Sequence, residues 1–373
     1  MSKEGVAERH ERLTQTYSTW GDKLLAHTSV LHSIQEKREF RPITIQLAPV
    51  EACEGDCPFC SVAARPLRRY MPFDKLRQCL ADFRSLGAKS VELTGGGNPL
   101  LYRDKTNGKN INDVIQVAAG LGLDIGMITN GHSLKILKPE LFDAINWIRI
   151  SLIKLDEGKT PQDYDFNGFP ESKLGFSYII YETGGMPNPM SRTGRIYAGT
   201  NTDSIEKMAR LVELHPEVKF VRIAGNCLIK GNNEAVRRNW QPIIDAIDVQ
   251  GKFFIKDIGL NDSPFNDGCY VGMIRPYIAP SPESDDYMVY TCTSHVLNRR
   301  TYDLDYALCK VEDVIPTWKK MNERFASVGH PYEIKGNGGR NWCETCQYCY
   351  YKNNNQLLHT VAQAHNMPDR NFP

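Results

Sequence analysis

The chain has 373 residues with 45 Lys and Arg against 44 Asp and Glu, and its formal net charge of +1 excludes a polyanion-coating protein. Hydrophobic residues make up 41% and charged residues 24%, which excludes intrinsic disorder and allows a full core divided into more than one unit. No apolar run approaches the roughly 18 residues of a spanning helix, and the start MSKEGVAERHERL lacks the apolar stretch of a secretory signal, so a cytoplasmic protein without a membrane partner is expected.

Residues 1–42 are polar with helical periodicity, as in WGDKLLAHTSVLHSIQEK, and read as an N-terminal helical extension. From residue 43 strands and helices alternate. TIQLAPV (44–50) is a strand, 73–87 a helix, SVELTGG (90–96) a strand and 111–122 a helix. The series continues with the strand DIGMITNG (124–131), a short helix over 139–145 and the strands WIRISLI (147–153) and GFSYIIY (175–181). The helix 204–215, the strand KFVRIAG (219–225), the helical stretch 237–249 and KFFIKDIG (252–259) complete it. Such alternation predicts a parallel sheet with helical crossovers. The stretch 183–203, rich in Gly, Pro, Asn and Thr, reads as a long loop at a strand end, where loops often cover a site. Beyond about residue 260 the pattern becomes irregular, so 43–260 and 261–373 are expected to be separate units.

Eleven cysteines are many for a reducing compartment, and an odd number cannot pair fully into disulfides. Cys53, Cys57 and Cys60 cluster early, and Cys343, Cys346 and Cys349 cluster late. Two thiol triplets suggest two metal centres. The early stretch VEACEGDCPFCSV ends the first strand with the spacing Cys-x3-Cys-x2-Cys. Three thiolates so close can hold three irons of a [4Fe–4S] cluster and leave the fourth iron open. Structural zinc takes four ligands, and no fourth Cys or His lies nearby in sequence.

This spacing, with Phe59 before the last cysteine, resembles the signature of the radical S-adenosylmethionine (radical SAM) superfamily. The second strand runs into TGGGNPLL, similar to that family's glycine-rich segment that meets the amino group of SAM, here Gly95, Gly96, Gly97 and Asn98. The family usually has Glu where this chain has Asn98, so the contact with the ammonium is expected to be weaker or shared with another group. The third strand ends in Thr129-Asn130-Gly131 and the fourth carries Ser151, matching positions where relatives touch SAM; a strand-end cap is the alternative reading. The resemblance covers about residues 43–260 and implies a partial (β/α)6 barrel, TIM-like, with the cluster at its top. It further implies that a [4Fe–4S] cluster and SAM generate a 5′-deoxyadenosyl radical that abstracts hydrogen from substrate. An external one-electron reductant of flavodoxin or ferredoxin type is implied as partner. No catalytic side chain is assigned from the sequence.

Cys269 and Cys292 flank a candidate hairpin, RPYIAP and YMVYT, followed by GGRNWCETCQYCYY (338–351). This resembles the SPASM and twitch extensions, which hold auxiliary clusters, and implies one auxiliary [4Fe–4S] cluster on Cys269, Cys292, Cys343 and Cys346, with Cys349 or Cys309 as substitutes. A zinc knuckle on the same thiols stays open. Cys79 reads as a buried helix residue, and Cys227 as packing or a reactive thiol. Arg65, Arg68 and Arg69 after the cluster loop, with Arg299 and Arg300, are either solvated surface or a grip for carboxylate, phosphate or nucleic acid. Relatives with auxiliary domains point to a peptide substrate, and the arginines to a nucleotide or nucleic-acid base as the second choice. A non-catalytic Fe–S or zinc sensor is the reading from another class.

Overall fold

The computed structural model describes residues 5–17, 21–131, 134–181, 199–228, 232–248, 250–256, 269–293, 295, 304–331, 349 and 351–364. Seven strands run parallel in chain order: β1 (Thr44–Leu47), β2 (Ser90–Leu93), β3 (Asp124–Thr129), β4 (Ile145–Ser151), β5 (Leu174–Ile180), β6 (Val221–Gly225) and β7 (Phe253–Ile255). Six of these are the expected barrel strands, and β7 adds to β6. On the other edge β8 (Tyr277–Pro280) lies parallel to β1 and turns back through β9 (Tyr287–Tyr290), which β10 (Ala307–Lys310) pairs antiparallel. The hairpin expected from RPYIAP and YMVYT therefore forms and continues the barrel's own sheet. Among the described residues β7 and β10 are the edges, consistent with an open, partial barrel.

Helices α1 (Val6–Tyr17), α2 (Gly21–Leu25) and α3 (Thr28–Glu36) make the N-terminal extension. The crossovers hold α4 (Phe73–Ser85), α5 (Ile111–Gly120), α6 (Thr202–Leu214) and α7 (Asn232–Ile247). In α5 the buried residues Ile111, Val114, Ile115 and Ala118 follow helical spacing, and Asn110 with Asp113 forms a capping box. The expected helix over 139–145 is instead the 3-10 segment Pro139–Ala144. Between β4 and β5 there are 3-10 turns, two of them opened by Pro161 and Glu171 after Pro170, because GKTPQDYDFNGFPESK has too many helix breakers for a long helix. The predicted loop 183–203 lies outside the described residues up to residue 198. Helices α8 (Val271–Ile274), α9 (Val314–Val328) and α10 (Lys352–Gln363) cover the hairpin end. No helix among the described residues is long and apolar enough to cross a membrane.

One buried carboxylate ties the first crossover down. Asp104 accepts the backbone N–H of Phe73 at 2.8 Å, satisfying the first turn of α4, and also the N–H and hydroxyl of Thr106. Burial alone would raise its pKa, but these hydrogen bonds hold it below the ordinary range. Asp104→Asn should cost about 1 kcal/mol at neutral pH. A carboxyl with a depressed folded pKa stabilises above its unfolded value and loses that contribution as the pH falls through the folded one. Melting curves of the two proteins should therefore converge in acid; a constant gap would show that Asp104 acts by shape alone.

Candidate active site

The carboxyl ends of the strands gather the motif residues, as parallel α/β architecture requires. After β1 the chain enters the cysteine loop, where the N–H of Gly55 donates to Cys53 Sγ at 3.4 Å and the N–H of Cys60 donates to Cys57 O at 3.0 Å. A methyl group at Gly55 would lie 3.5 Å from Cys57 Sγ and 3.6 Å from Cys53 Sγ, so the loop wraps both thiols tightly. Burial pushes the Cys57 thiol up, and the neighbouring Cys60 and Cys53 push it further; burial likewise raises Cys53. Among the described residues no three Cys, His, Asp or Glu side chains converge as they would round a single ion. A cubane cluster asks for something else, since each thiolate takes a different iron and the sulfurs stand farther apart. The three thiols share one loop and sense one another electrostatically, a donor set of the kind a [4Fe–4S] cluster takes.

The glycine-rich segment docks onto this loop. The N–H of Gly97 donates to Val50 O at 3.0 Å and that of Asn98 to Ala52 O at 2.8 Å. A methyl group at Gly97 would sit 2.0 Å from Ala52 O, and one at Gly96 would sit 1.9 Å from Glu51 Oε2. Gly95 has φ +109°, the region that favours glycine. Beyond any contact with a ligand, these residues are glycine because the loop that carries the cysteines lies against their backbone.

Asn98 is turned differently from the expectation. Its Oδ1 accepts from Leu100 N at 3.2 Å and from Thr129 Oγ1 at 2.8 Å, so the oxygen caps the strand end. Its Nδ2 donates to Glu54 Oε2 at 3.1 Å and to Asn130 Oδ1 at 3.0 Å. The two acceptor duties fix the amide this way round, because Leu100 N–H has to meet an oxygen. Asn98 therefore does not present its oxygen to an ammonium, and Thr129 acts as a cap, donating to Asn98 and accepting from Gly131 N at 3.1 Å. Asn130 Nδ2 donates to Glu54 Oε2 at 3.1 Å and lies 3.9 Å from Cys53 Sγ. Glu54, one residue after the first cysteine, is thus the carboxylate at the hub of Asn98, Asn130 and Cys53. Its place between the cysteines in sequence is a signal, but only the fold turns it toward the glycine segment.

Phe59 packs on Tyr181 at the end of β5, with ring centroids 5.2 Å apart, and Ser151 ends β4 in register with Ser177. Next to Tyr181, Asp156 accepts hydrogen bonds from Tyr178, Tyr181 and Ser204 at 2.7 to 2.8 Å, while burial raises its pKa. The arginines divide. Arg65 is buried, with Nη1 donating to Cys60 Sγ at 3.3 Å and Nε to Glu51 O at 2.9 Å, so it braces the cysteine loop. Arg69 donates to the carbonyls of Ser281 and Ser284 in the β8–β9 turn. These two are committed within the fold, and Arg299 and Arg300 lie outside the described residues.

Of the late thiols, Cys343 and Cys346 lie outside the described residues. Cys292 and Cys349 are buried, and Cys269 is partly buried. Asn355 of α10 accepts the backbone N–H groups of Tyr270 and Val271 at 2.8 and 3.0 Å, and Thr293 meets Tyr351 Oη at 3.1 Å. These bonds draw the chain beside Cys269, Cys292 and Cys349 toward α10. Cys309 belongs elsewhere: its thiol, pushed up to about 12 by burial, neighbours Glu312, Asp313 and the buried Cys79 of α4.

No family model matches the chain. Over 116 residues it is 32% identical to a GTP 3′,8-cyclase of Tolumonas auensis, covering 30% of this chain and 33% of that protein. A GTP 3′,8-cyclase of Staphylococcus aureus is 29% identical over 128 residues, 31% of this chain and 36% of its own. The chain thus spans about a third of the length of these curated relatives. The solved structure of Streptococcus suis SuiB bound to the precursor peptide SuiA shares the fold, with a TM-score of 0.50 and 14% identity over 82% of this chain and 72% of SuiB. With a three-cysteine loop at the end of β1, a glycine segment docked on it from β2 and a parallel partial barrel behind both, the chain resembles the radical SAM superfamily in the place of its motifs as well as in their sequence.

Proposed function

We propose that the protein is a radical SAM enzyme that modifies a peptide substrate by hydrogen abstraction. The observation that carries it is the loop of Cys53, Cys57 and Cys60, which offers three thiols and sits against Gly97, Asn98 and Asn130 at the carboxyl end of the barrel. In this reading those thiols hold a [4Fe–4S] cluster, which when bound supplies one electron to SAM and so yields methionine and a 5′-deoxyadenosyl radical. The chain's own residues do the rest: Arg65 fixes the last cysteine, Phe59 and Tyr181 wall one side, and Ser151 with Asn130 offers polar contacts. An unassigned reductant of flavodoxin or ferredoxin type delivers the electron. Residues 261–373 form the auxiliary unit, with Cys269, Cys292, Cys343, Cys346 and Cys349 as the candidate ligands of a second [4Fe–4S] cluster.

The peptide reading is supported by the peptide that SuiB binds in its solved structure. The second reading, a nucleotide substrate, is supported by the curated cyclases, whose name specifies GTP. Anaerobic iron and sulfide quantification with EPR of the reduced protein tests the centre of the proposal. A signal perturbed by SAM, together with 5′-deoxyadenosine formation, is expected; iron at background after reconstitution would sink it.

Within this reading Glu54 supplies the negative charge that the glycine segment lacks at Asn98. The hydrogen bonds from Asn98 and Asn130 hold its carboxylate in place beside the cysteine loop. Removing a charge-assisted contact is worth roughly 1.5–3 kcal/mol, so Glu54→Gln should weaken SAM binding about tenfold or more while leaving iron content unchanged. Equilibrium binding of SAM to the reconstituted proteins measures it, and equal affinities would remove Glu54 from the SAM site.

A further inference from the structure

A second polar layer lies inside the barrel, away from the cysteine loop. Along a strand alternate residues face the lumen, and on β4 the core-facing Ile148 and Ile150 leave Arg149 on the lumen side. Arg222 of β6 does the same between Val221 and Ile223, and Lys256 follows β7. Opposite them stand Gln46 and Glu92 of β1 and β2. Glu92 is already engaged, accepting from Arg275 Nη2 at 2.7 Å and from Gln46 Nε2 at 3.0 Å. The Nε atoms of Arg149 and Arg222 are buried and have no hydrogen-bond partner among the described residues. Buried polar groups are nearly always satisfied, so two such donors in one layer ask for an acceptor.

The charges ask for the same thing. Burial lowers the pKa of Arg149 to about 10, and burial followed by the neighbouring cations lowers those of Arg222 and Lys256. Three partly buried cations that repel one another are stabilised by any anion placed among them.

The layer also forms the wall of a cavity of about 410 Å³. That cavity extends to the amino ends of the strands, at Thr44, Ser90 and Asp124, and so opens on the face opposite the cysteine loop. Seven of its lining side chains are Lys or Arg and two are acidic, which sets the sign of its ligand. Its size is that of a small-molecule site, and Trp147 and Phe220 give it an apolar wall.

We propose that this chamber is an anion-binding site in which Arg149, Arg222 and Lys256 hold the phosphate or carboxylate group of a small ligand entering from the amino ends of the strands. The site stands apart from the SAM reading, and its test does not depend on cluster loading.

Melting curves of the full-length chain in low-millimolar inorganic phosphate, and separately in succinate, are compared with chloride at matched ionic strength. At least one anion should raise the melting temperature by roughly 2 °C or more. A response to phosphate alone supports a phosphate ester as ligand, and a response to succinate supports a carboxylate. Arg222→Met and Lys256→Met should each melt no lower than the parent in chloride, because repulsion is relieved, and should lose the anion response. If Arg222→Met does not fold, Lys256→Met decides. No response of the parent to either anion, or an undiminished response in the folded variants, would overturn the proposal.

Discussion

Cys57→Ala is expected to abolish SAM cleavage, leaving 5′-deoxyadenosine at background. Cys57 lies between the other two cysteines in sequence, and its thiol is the one that burial and both neighbouring thiols perturb most visibly. Removing it leaves two thiolates for a cluster that takes three, so iron and sulfide should fall together with activity. The overall fold should persist, since Cys57 is only partly buried and the barrel core forms from the strands behind it. Cys346→Ala makes the contrast: under the auxiliary-cluster reading it spares uncoupled SAM cleavage and impairs product formation. If Cys57→Ala still cleaved SAM under strong reductant, the assignment of the first cluster would be wrong.

Gly97→Ala should be nearly as damaging, by a different route. A methyl group there would lie 2.0 Å from the carbonyl oxygen of Ala52 and 2.6 Å from the carbonyl carbon of Glu51, and backbone cannot swing aside as a flexible side chain can. The cysteine loop has to move away from β2, breaking the bonds Gly97 N to Val50 O and Asn98 N to Ala52 O. Overpacking of this kind costs about 1–3 kcal/mol, and the lost backbone bonds add to it. The expected result is a lower melting temperature and iron content well below that of the parent after identical reconstitution. A variant with normal stability but weak SAM binding would show instead that the glycine serves the ligand and not the loop. Gly120→Ala, in α5 with nothing within 4 Å of the added carbon, is the control and should lower neither.

The strand order and the place of the cysteine loop were legible from the chain because they rest on local chemistry. Alternating apolar strands and amphipathic helices at this spacing lead to a parallel sheet, and thiols three and two residues apart have to share one loop wherever that loop goes. Helix breakers also write themselves locally: the glycines and prolines of GKTPQDYDFNGFPESK leave only 3-10 turns before β5.

What no local pattern contained was the partner of each polar group. The contact of Asn98 is expected to be weak or shared with another group, and in the fold Leu100 N–H and Thr129 Oγ1 claim its oxygen while its Nδ2 donates to Glu54 from across the loop. Arg65 and Arg69 looked available and are bound within the fold, while Arg149, Arg222 and Lys256, scattered over more than a hundred residues of sequence, meet in one layer. The reason is physical. Backbone conformation follows from short-range sterics and hydrophobic period, whereas the charge and hydrogen bonding of a buried side chain depend on whichever distant strands the partial barrel brings to face it.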